Sequence, residues 1–295
     1  MAYLVLDVGG SSIKYALADD SFELSAKGSL PTSYDTHEDF VAAIGGIYDR
    51  FAGRVDGIAM SCCGELDPRT GHMFSGGALR FNAGHNMIAS VRARCPVPVT
   101  VENDANCALL AEVHDGSLSD CTNAVALVMG TGVGGALLIN GRIYHGSHFH
   151  SGNASFVRTD LADPDDAGLA LANGVPALIG DYARLAGLDP ATIDGPLLFD
   201  RLDAGDSFAK EALGAYCSRL AAFIFNLQVI LDVDAVAIGG GISAQPAFVD
   251  LLRERVDAIF AAAPVPLPRP QVRVCRYFND ANLVGALYHH LNPTR

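Results

Sequence analysis

The stretch YLVLDVGGSSIKYAL, residues Tyr3–Leu17, places a glycine-serine turn between two apolar runs. Short apolar runs bounded by glycine are typical of buried strands, so this stretch predicts a β-hairpin. The same pattern returns in AVALVMGTGVGGALLI, residues Ala124–Ile139, and Asn140-Gly141 then predicts a further hairpin turn. Helix-like and strand-like segments alternate after each hairpin. The sequence therefore predicts an α/β protein of two halves, each opened by a glycine-turned hairpin.

Hydrophobic periodicity supplies the other predicted elements of the two halves. The predicted helices span 37–51, 103–114, 246–260 and 281–291, and the predicted strands span 55–61, 97–101, 235–238 and 272–275. One more helix is indicated by a core-facing stripe at steps of three and four residues, formed by Leu213, Tyr216, Leu220, Phe223, Leu227 and Ile230.

The composition excludes several classes of protein. The 295 residues include 33 acidic and 20 basic ones, which gives a net charge of −13, and they contain no basic run. This balance argues against nucleic-acid binding and against an anionic membrane surface. No apolar stretch is expected to approach the ~20 residues of a membrane-spanning helix, and the N-terminus lacks a signal-peptide pattern, so a cytoplasmic location is expected. Seven cysteines without a CxxC pair predict reduced thiols and no zinc-ligand spacing.

Three glycine turns are candidates for holding a phosphate. Asp7 precedes Gly9-Gly10-Ser11-Ser12, and a carboxylate in an apolar run is costly to bury without a cation or donors. On this segment alone, a phosphate-holding turn and an ordinary turn with a solvated Asp are equally supported. GTGVGG, residues 130–135, matches the dinucleotide fingerprint formally, but an apolar strand follows where a helix is required, so a phosphate turn or a plain turn remains. Three glycines in succession, Gly239-Gly240-Gly241, are more than a strand-to-helix turn requires, which favours a ligand-binding role for this segment.

A polar cluster, VENDAN at residues 101–106, follows a Pro-bounded strand and opens a predicted helix. An Asp near a helix start is most often an N-terminal cap, and Asp104 fits that role. Polar residues at the carboxyl end of a strand also stand where α/β sheets bind their ligands. A carboxylate there could accept a proton from a substrate hydroxyl, so both roles of Asp104 remain open.

In their order along the chain, these motifs resemble those of the ROK (repressor, open reading frame, kinase) family, within the sugar-kinase, actin and heat-shock-protein ATPase superfamily. DVGGSSIK resembles the family's DxGGTxxK, and SCCGELDPRTG, residues 61–71, resembles SxPGxVDxxxG with Cys63 at the Pro position. Phe81-Asn82 resembles its LxN element, VENDANCA its VxNDANxAA, and GTGVGG its phosphate loop. The C-terminal half is similar to the zinc-free branch that includes bacterial β-glucoside kinases.

The resemblance implies a fold, a reaction and a metal. The fold is two actin-like, ribonuclease-H-like α/β domains with an interdomain cleft. The small N-terminal domain would span 1–118 and the large C-terminal domain 119–280, with a C-terminal helix over about 281–295 packing back on the small domain. Asp104 would be the general base that deprotonates a sugar hydroxyl, O6 in β-glucoside kinases, for attack on the γ-phosphate of ATP. Asp7 would hold Mg²⁺ through water.

The resemblance also implies ligand-binding roles for other residues. The sugar would be bound by Gly64, Glu65, Asn82, Asn103, Asn153 and His148. ATP would be bound by Gly9, Gly10, Ser11, Ser12, Lys14, Gly130, Thr131, Gly132, Gly239, Gly240 and Gly241.

The sequence departs from the family after the second hairpin. The family usually reads AGExGHM there, followed by the zinc motif CxCGxxGC, whereas this chain reads SGNASFV at residues 151–157. Asn153 replaces the sugar-binding Glu, and Phe156 replaces the His that binds sugar and zinc, so no zinc site is expected. His148 and His150 lie just upstream and could supply sugar contacts, although ordinary surface or core histidines fit the sequence better.

The expected protein is an ATP- and Mg²⁺-dependent carbohydrate kinase that acts on a hexose or a hexosyl glycoside. The resemblance implies a homodimer, and no nucleic-acid or membrane partner is expected. The alternative is a catalytically weak sugar or nucleotide sensor, which Asn153 and Phe156 motivate and which the intact Asp7 and Asp104 oppose. A DNA-binding repressor of the family carries a helix-turn-helix before the first strand, which begins here at Tyr3, so a repressor is not expected.

Overall fold

The structure is a computed structural model that describes residues 1–160, 162–163, 165–166 and 168–292. Its elements up to residue 115 are β1 (Ala2–Val8), β2 (Ser12–Asp19), β3 (Leu24–Pro31), α1 (His37–Asp49), β4 (Gly57–Cys62), β5 (Leu66–Asp67), β6 (His72–Met73), α2 (Met87–Arg94), β7 (Val99–Asn103) and α3 (Asp104–Asp115).

The later elements are β8 (Ala124–Met129), β9 (Val133–Ile139), β10 (Arg142–Ile143), α4 (Leu169–Asn173), α5 (Val175–Ala186), α6 (Gly195–Asp203), α7 (Ser207–Leu231), β11 (Ala235–Gly239), α8 (Pro246–Ala261), β12 (Gln271–Val274) and α9 (Ala281–Leu291). Short 3₁₀ turns connect several of them; the two used below are Ala154–Phe156 and Gly241–Ala244.

The chain forms two compact units. The first consists of Met1–Ser119, Gly141–Ser151 and the chain from Asn279 onward, and the second consists of Asp120–Asn140 and Gly152–Phe278. The sequence predicted boundaries at 118/119 and 280/281, which differ from these units chiefly by the segment Gly141–Ser151. The division into functional domains stays a prediction, and residues 293–295 of the predicted C-terminal helix lie outside the described residues.

The sheet of the first unit has the strand order β3-β2-β1-β4-β7. β1 and β2 form the predicted antiparallel hairpin, in which Asp7 faces Lys14, and β1, β4 and β7 run parallel. The register places Asp7 beside Ser61 and Ser61 beside Glu102, so three polar side chains lie in one row near the carboxyl ends of these strands. This is the edge at which parallel sheets present their ligands.

Helices cover both faces of this sheet, which explains why β1 is buried along almost its whole length. α1 and α2 contribute to the core cluster on one face, in which Phe40 and Ile44 are buried together with Leu4 and Leu6. α9 packs on the other face together with α3, and Leu287 belongs to the same buried cluster as residues of β1 and β4.

The second unit repeats the arrangement of the first. β8 and β9 form an antiparallel hairpin, β8 pairs in parallel with β11, and β11 pairs in parallel with β12. After β9 the chain returns to the first unit and enters β10 through the Asn140-Gly141 turn, whose two residues have φ angles of 53° and 70°, as the predicted hairpin turn requires. The core of this unit lies between the sheet and helices α5 to α8.

Two expectations concern helix α7. Leu213, Tyr216, Leu220 and Phe223 are buried as predicted, but Ile230 is 76% exposed because it lies in the last turn, beyond the packed part of the stripe. The second expectation was that no apolar stretch approaches a membrane span. By length and composition α7 could cross a bilayer, although 44% of its most apolar window is buried inside the protein and core helices pass the same test.

Several elements had no clear signal in the sequence. Strands β3, β5 and β6 and helices α2, α4, α5 and α6 were not predicted, although the predicted elements around them are present within a few residues of the expected bounds. β3 is mostly exposed and therefore lacks the apolar run by which buried strands are identified.

Candidate active site

Asp104 is the first residue of helix α3, and Asn103 is the N-cap of that helix. The Asn103 Oδ1 accepts the backbone N–H groups of Ala105 at 2.9 Å and Asn106 at 3.3 Å. The sequence left two roles open for Asp104, helix cap and proton acceptor. The cap is Asn103. Burial and, to a smaller extent, the negative charge of Asp7 together raise the pKa of the Asp104 carboxyl to about 6. A carboxylate of increased basicity at the end of a strand can accept a proton.

Asp7 is buried at the end of β1 with two partners. Its Oδ1 accepts a hydrogen bond of 2.9 Å from the Nδ2 of Asn282 on α9, and its Oδ2 lies 3.6 Å from the Nζ of Lys14. These contacts supply the donors and the cation that a carboxylate in an apolar run needs. Mg²⁺ in phosphoryl-transfer sites is held through one or two carboxylates, water and substrate phosphates, and Asp7 offers one such carboxylate.

The turn that follows Asp7 is tight and exposed. The Gly9 N–H donates to the Ser12 carbonyl at 3.0 Å, and the Thr32 hydroxyl donates to the Gly10 carbonyl at 2.7 Å. Gly10 and Ser11 are exposed, and their backbone N–H groups have no partner among the described residues. Such amides can hold an anion.

Gly64 ties the start of α3 to the loop after β4. Its carbonyl accepts the Asn103 Nδ2 at 3.0 Å. Gly64 has a φ of 98°, and a Cβ there would lie 2.3 Å from the Ser75 carbonyl oxygen, so only glycine fits. The next residue, Glu65, is partly buried, and its Oε1 lies 3.5 Å from the Nδ1 of His150.

Asn82 is buried and held by a chain of side chains that the sequence did not reveal. Its Oδ1 lies 2.8 Å from the Nδ1 of His37, and the His37 Nε2 lies 2.8 Å from the Ser90 Oγ. His85 stacks on His37 with 4.0 Å between the ring centroids. With the His37 proton on Nδ1, the amide oxygen of Asn82 is occupied and its NH₂ group remains to donate to a ligand.

Glu102 is the centre of a buried cluster that was also missed. Its Oε2 lies 2.8 Å from the Nε2 of His145 and 3.9 Å from the Nδ1 of His289, and its Oε1 accepts the Asn103 N–H at 2.7 Å and the Asn106 Nδ2 at 2.9 Å. Burial opposes ionisation of Glu102, but the hydrogen bond and charge of His145 outweigh it, and the pKa lies below its usual value. These hydrogen bonds fix the position of the segment that carries Asp104.

The turn of the second unit, Gly130 to Gly132, joins β8 to β9, and a strand follows it as predicted. Gly130 and Thr131 border a cavity of about 480 Å³ whose wall is largely apolar and which also includes Gly241, Pro196 and Phe199. A Cβ on Gly130 or Gly241 would meet nothing within 4 Å, so packing requires glycine at neither position. The open space beside both backbones suits a flat ligand with a phosphate tail.

The other glycines predicted to bind ATP do not border this cavity. Gly240 has a φ of 88°, and a Cβ there would lie 2.0 Å from the Met129 carbonyl oxygen, so it is a structural glycine. Gly239 ends β11 close to Cys275, and Gly132 lies behind the turn near Ser155. Of the predicted ATP-binding residues in this unit, the cavity wall contains Gly130, Thr131 and Gly241.

The residues that depart from the family motif are accessible. Asn153 is partly buried and precedes the 3₁₀ turn Ala154–Phe156, and its side chain makes no hydrogen bond within the described part of the chain. Phe156 is 69% exposed. His148 is exposed and likewise has no partner among the described residues, whereas the neighbouring His150 approaches Glu65.

No group of three or more His, Cys, Asp or Glu side chains among the described residues is arranged to hold a metal ion. All seven cysteines are free thiols. The predicted absence of zinc stays a prediction.

The profile of the ROK family matches residues 3–292 of the chain. The chain belongs to the ROK family. This ROK protein is 34% identical to a β-glucoside kinase of Klebsiella pneumoniae over 79% of its length and 77% of that enzyme. It is 28% identical to a β-glucoside kinase of Listeria monocytogenes over 99% of its length and 98% of that enzyme. Its structure is similar to a ROK family protein from Streptococcus pneumoniae in complex with sucrose, with a TM-score of 0.90, 27% identity and 99% coverage of both chains.

In this ROK protein the predicted site residues form two groups. In the first unit, contacts link Asp7 with Lys14, Asn103 with Gly64 and Glu65 with His150, and the charge of Asp7 acts on Asp104. In the second unit, Gly130, Thr131 and Gly241 share one cavity. Their roles in binding and catalysis stay predictions.

Proposed function

We propose that the protein is an ATP-dependent sugar kinase that transfers the γ-phosphate to a hydroxyl, O6, of a hexose or hexosyl glycoside. Asp104 carries this proposal. It is a carboxyl group at the end of a parallel strand, its pKa is raised to about 6, and Asn103 performs the capping that would otherwise explain an Asp at this position. The named activity of the Klebsiella and Listeria relatives supports the same reaction class.

The proposed chemistry follows from the charges and donors of each unit. Asp104 accepts the proton of the attacking hydroxyl as the oxygen approaches phosphorus. The exposed amides of Gly10 and Ser11 and the ammonium of Lys14 stabilise negative charge on the phosphates. Asp7 holds Mg²⁺ through water, and the ion would neutralise phosphate charge when bound.

The nucleotide base is proposed to occupy the apolar cavity of the second unit. The phosphate chain would pass Gly130 and Thr131, where no side chain blocks the backbone. A volume of about 480 Å³ is within the range of small-molecule sites.

The proposed sugar contacts combine rigid and adaptable groups. The NH₂ of Asn82 would donate to a sugar oxygen, because His37 holds the other end of the amide. Gly64, Glu65, Asn103 and His148 are proposed further contacts. Asn153 offers one acceptor and one donor group where the family has a carboxylate, so the site is proposed to prefer a sugar with a glycosidic or N-acetyl oxygen at that position.

Asn153 also motivates a second candidate, a sugar or nucleotide sensor with weak catalysis. Both candidates would bind a sugar or a nucleotide, but they would differ in the rate at which they turn over ATP. Mg²⁺ dependence, a cytoplasmic location and a homodimer belong to the kinase proposal through the resemblance to the family.

The deciding experiment measures ADP release with ATP and Mg²⁺ over a panel of glucose, N-acetylglucosamine, N-acetylmannosamine, cellobiose and methyl β-glucoside. The kinase proposal expects turnover with at least one sugar, no turnover in Asp104→Asn, and phosphate on O6 in the product by NMR. Sugar or nucleotide binding without ADP release above the Asp104→Asn background would instead support the sensor.

A further inference from the structure

A second cavity lies in the first unit, apart from the proposed catalytic residues. Its volume is about 790 Å³, and it is bordered by α2, the start of β7, the segment after β10 and α9. Thr100 lines it and lies four residues before Asp104, which corresponds to about 13 Å along an extended strand. Nothing in the proposed kinase reaction uses this cavity.

The wall of this cavity has an unusual charge for this protein. The chain carries a net charge of −13, yet the wall contains Arg69, Arg92, Arg142, His145 and His289 and no acidic residue. Burial lowers the pKa of His289, so the three arginines, and not this histidine, supply positive charge to the wall. The composition of the wall therefore favours an anionic ligand.

Two of the three arginines have unmatched charges. The guanidinium of Arg69 binds both carboxylate oxygens of Asp67, at 3.0 and 3.1 Å, and its charge is thus matched. Arg92 and Arg142 are exposed, and neither has a hydrogen bond or an ion pair with any described residue. Arginine binds phosphate oxygens through paired N–H groups, and two unmatched arginines suit a phosphate dianion.

The buried side of the cavity is connected to the segment that carries Asp104. His145 and His289 line the cavity and both face the Oε2 of Glu102, at 2.8 and 3.9 Å. The other oxygen of Glu102 accepts the Asn103 N–H at 2.7 Å. Glu102 is paired with His145 and accepts the Asn103 N–H and the Asn106 Nδ2, so this buried carboxylate has its partners without either free arginine.

We propose that this cavity is a binding site for a phosphate-bearing small molecule, held by Arg92 and Arg142. The phosphate group has two possible sources, inorganic phosphate and a phosphorylated sugar. The second source rests on the proposed function, since a sugar phosphate would be the product of the kinase. Tyr144 and Phe149 border the same cavity and would pack against a sugar ring.

The test is calorimetric titration of the full chain with two probes, inorganic phosphate and glucose 6-phosphate. AMP-PNP and Mg²⁺ are kept saturating, so that the γ-phosphate of the analogue excludes a product phosphate from the catalytic site. The variants are Arg92→Ala/Arg142→Ala and, as a matched control, Arg54→Ala, which removes an exposed arginine outside the cavity. Thermal melts establish that each variant is folded.

At least one probe is expected to bind the wild type and Arg54→Ala equally and to bind the double variant at least tenfold more weakly. Tighter binding of glucose 6-phosphate identifies a sugar phosphate as the ligand, and equal binding of both probes identifies phosphate alone. Absence of binding by both probes at millimolar concentration, or undiminished binding to the double variant, overturns the proposal. Because the titration needs no turnover, its failure is distinguishable from failure of the kinase assay.

Discussion

Asn103 and Asp104 are adjacent in the chain, but their side chains have different surroundings at the start of α3. The Asn103 oxygen accepts two backbone N–H groups and its Nδ2 donates to the Gly64 carbonyl. The Asp104 carboxyl also accepts the Ala105 N–H, at 2.8 Å, but burial and the charge of Asp7 raise its pKa to about 6. Removing either side chain should therefore affect a different property of the protein.

Asp104→Asn is expected to abolish phosphorylation without lowering the melting temperature. The amide cannot take the hydroxyl proton, and loss of a general base typically costs 10²–10⁴-fold in rate. Stability is expected to be equal or higher at pH 7.5, because ionisation of a carboxyl with a raised pKa disfavours the folded state. ADP release and a thermal melt measure the two effects. Asn103→Ala is the matched control and should lose about 1 kcal/mol of stability as the cap is removed.

The pH dependence of kcat/KM should report the carboxyl of Asp104. A general base acts only when ionised, so kcat/KM is expected to rise with pH, bend near pH 6 and be level above it, where the pKa of Asp104 lies. A sugar with no titratable group keeps the profile free of substrate ionisation. A plateau that continues down to pH 4.5 would show that the reaction does not depend on this carboxyl.

Two neighbouring glycines provide a matched test of the nucleotide cavity. Gly240→Ala should lower stability by at least ~2 kcal/mol, since its φ of 88° and the Met129 carbonyl oxygen at 2.0 Å leave no room for Cβ. Gly241→Ala should melt as the wild type does but raise the KM for ATP several-fold, because its methyl group projects into the cavity. An unchanged KM for ATP in a folded Gly241→Ala variant would place the nucleotide elsewhere.

Asn153→Glu is expected to shift selectivity toward a free hexose with an anomeric hydroxyl. A carboxylate accepts hydrogen bonds from sugar hydroxyls, and charged acceptors make the stronger bonds. The ratio of kcat/KM for glucose to kcat/KM for methyl β-glucoside measures the shift. If this ratio does not move, residue 153 lies outside the sugar site.

His145→Ala is expected to destabilise the protein by about 1–3 kcal/mol at pH 7, because the buried Glu102 loses a charge-assisted partner. The pKa of Glu102 lies below its usual value, so the stability that this ion contributes is present above pH ~4.5 and is lost as the pH falls toward the lower pKa of the folded state. Urea denaturation at pH 7 and at pH 4 should show a smaller difference at pH 4. His148→Ala, an exposed neighbour, serves as the control and should change stability little.

Local signals in the sequence predicted the parts of the protein that depend on neighbouring residues. The Asn140-Gly141 turn adopts the positive φ angles that such a pair favours, and VENDAN lies where a strand becomes a helix. The choice between Asn103 and Asp104 as the cap was not predictable, since both residue types cap helices equally well. Which one turns inward depends on the position of Gly64, 39 residues away.

Partners that are distant in the chain could not be predicted. Nothing near Glu102 in the sequence indicates that His145 and His289 will face it, because these contacts depend on how distant elements pack together. The contacts of His37 with Asn82 and with Ser90 also join residues that are distant in the sequence. His148, the histidine selected from the sequence, is exposed and lies three residues after His145, which is partly buried and faces Glu102.

Helix α9 covers one face of the sheet built from β1 and β4, although the ribosome makes it only after the whole second unit. Until then, Val5 and Ala59 on that face remain open to water. Gly285 lies so close to α3 that a Cβ would be 1.8 Å from the Cys107 carbonyl oxygen, so no looser substitute helix can take its place. A chain that is interrupted before α9 therefore presents an uncovered apolar sheet face to chaperones and proteases. The first unit can therefore be completed only after the second unit has been synthesised.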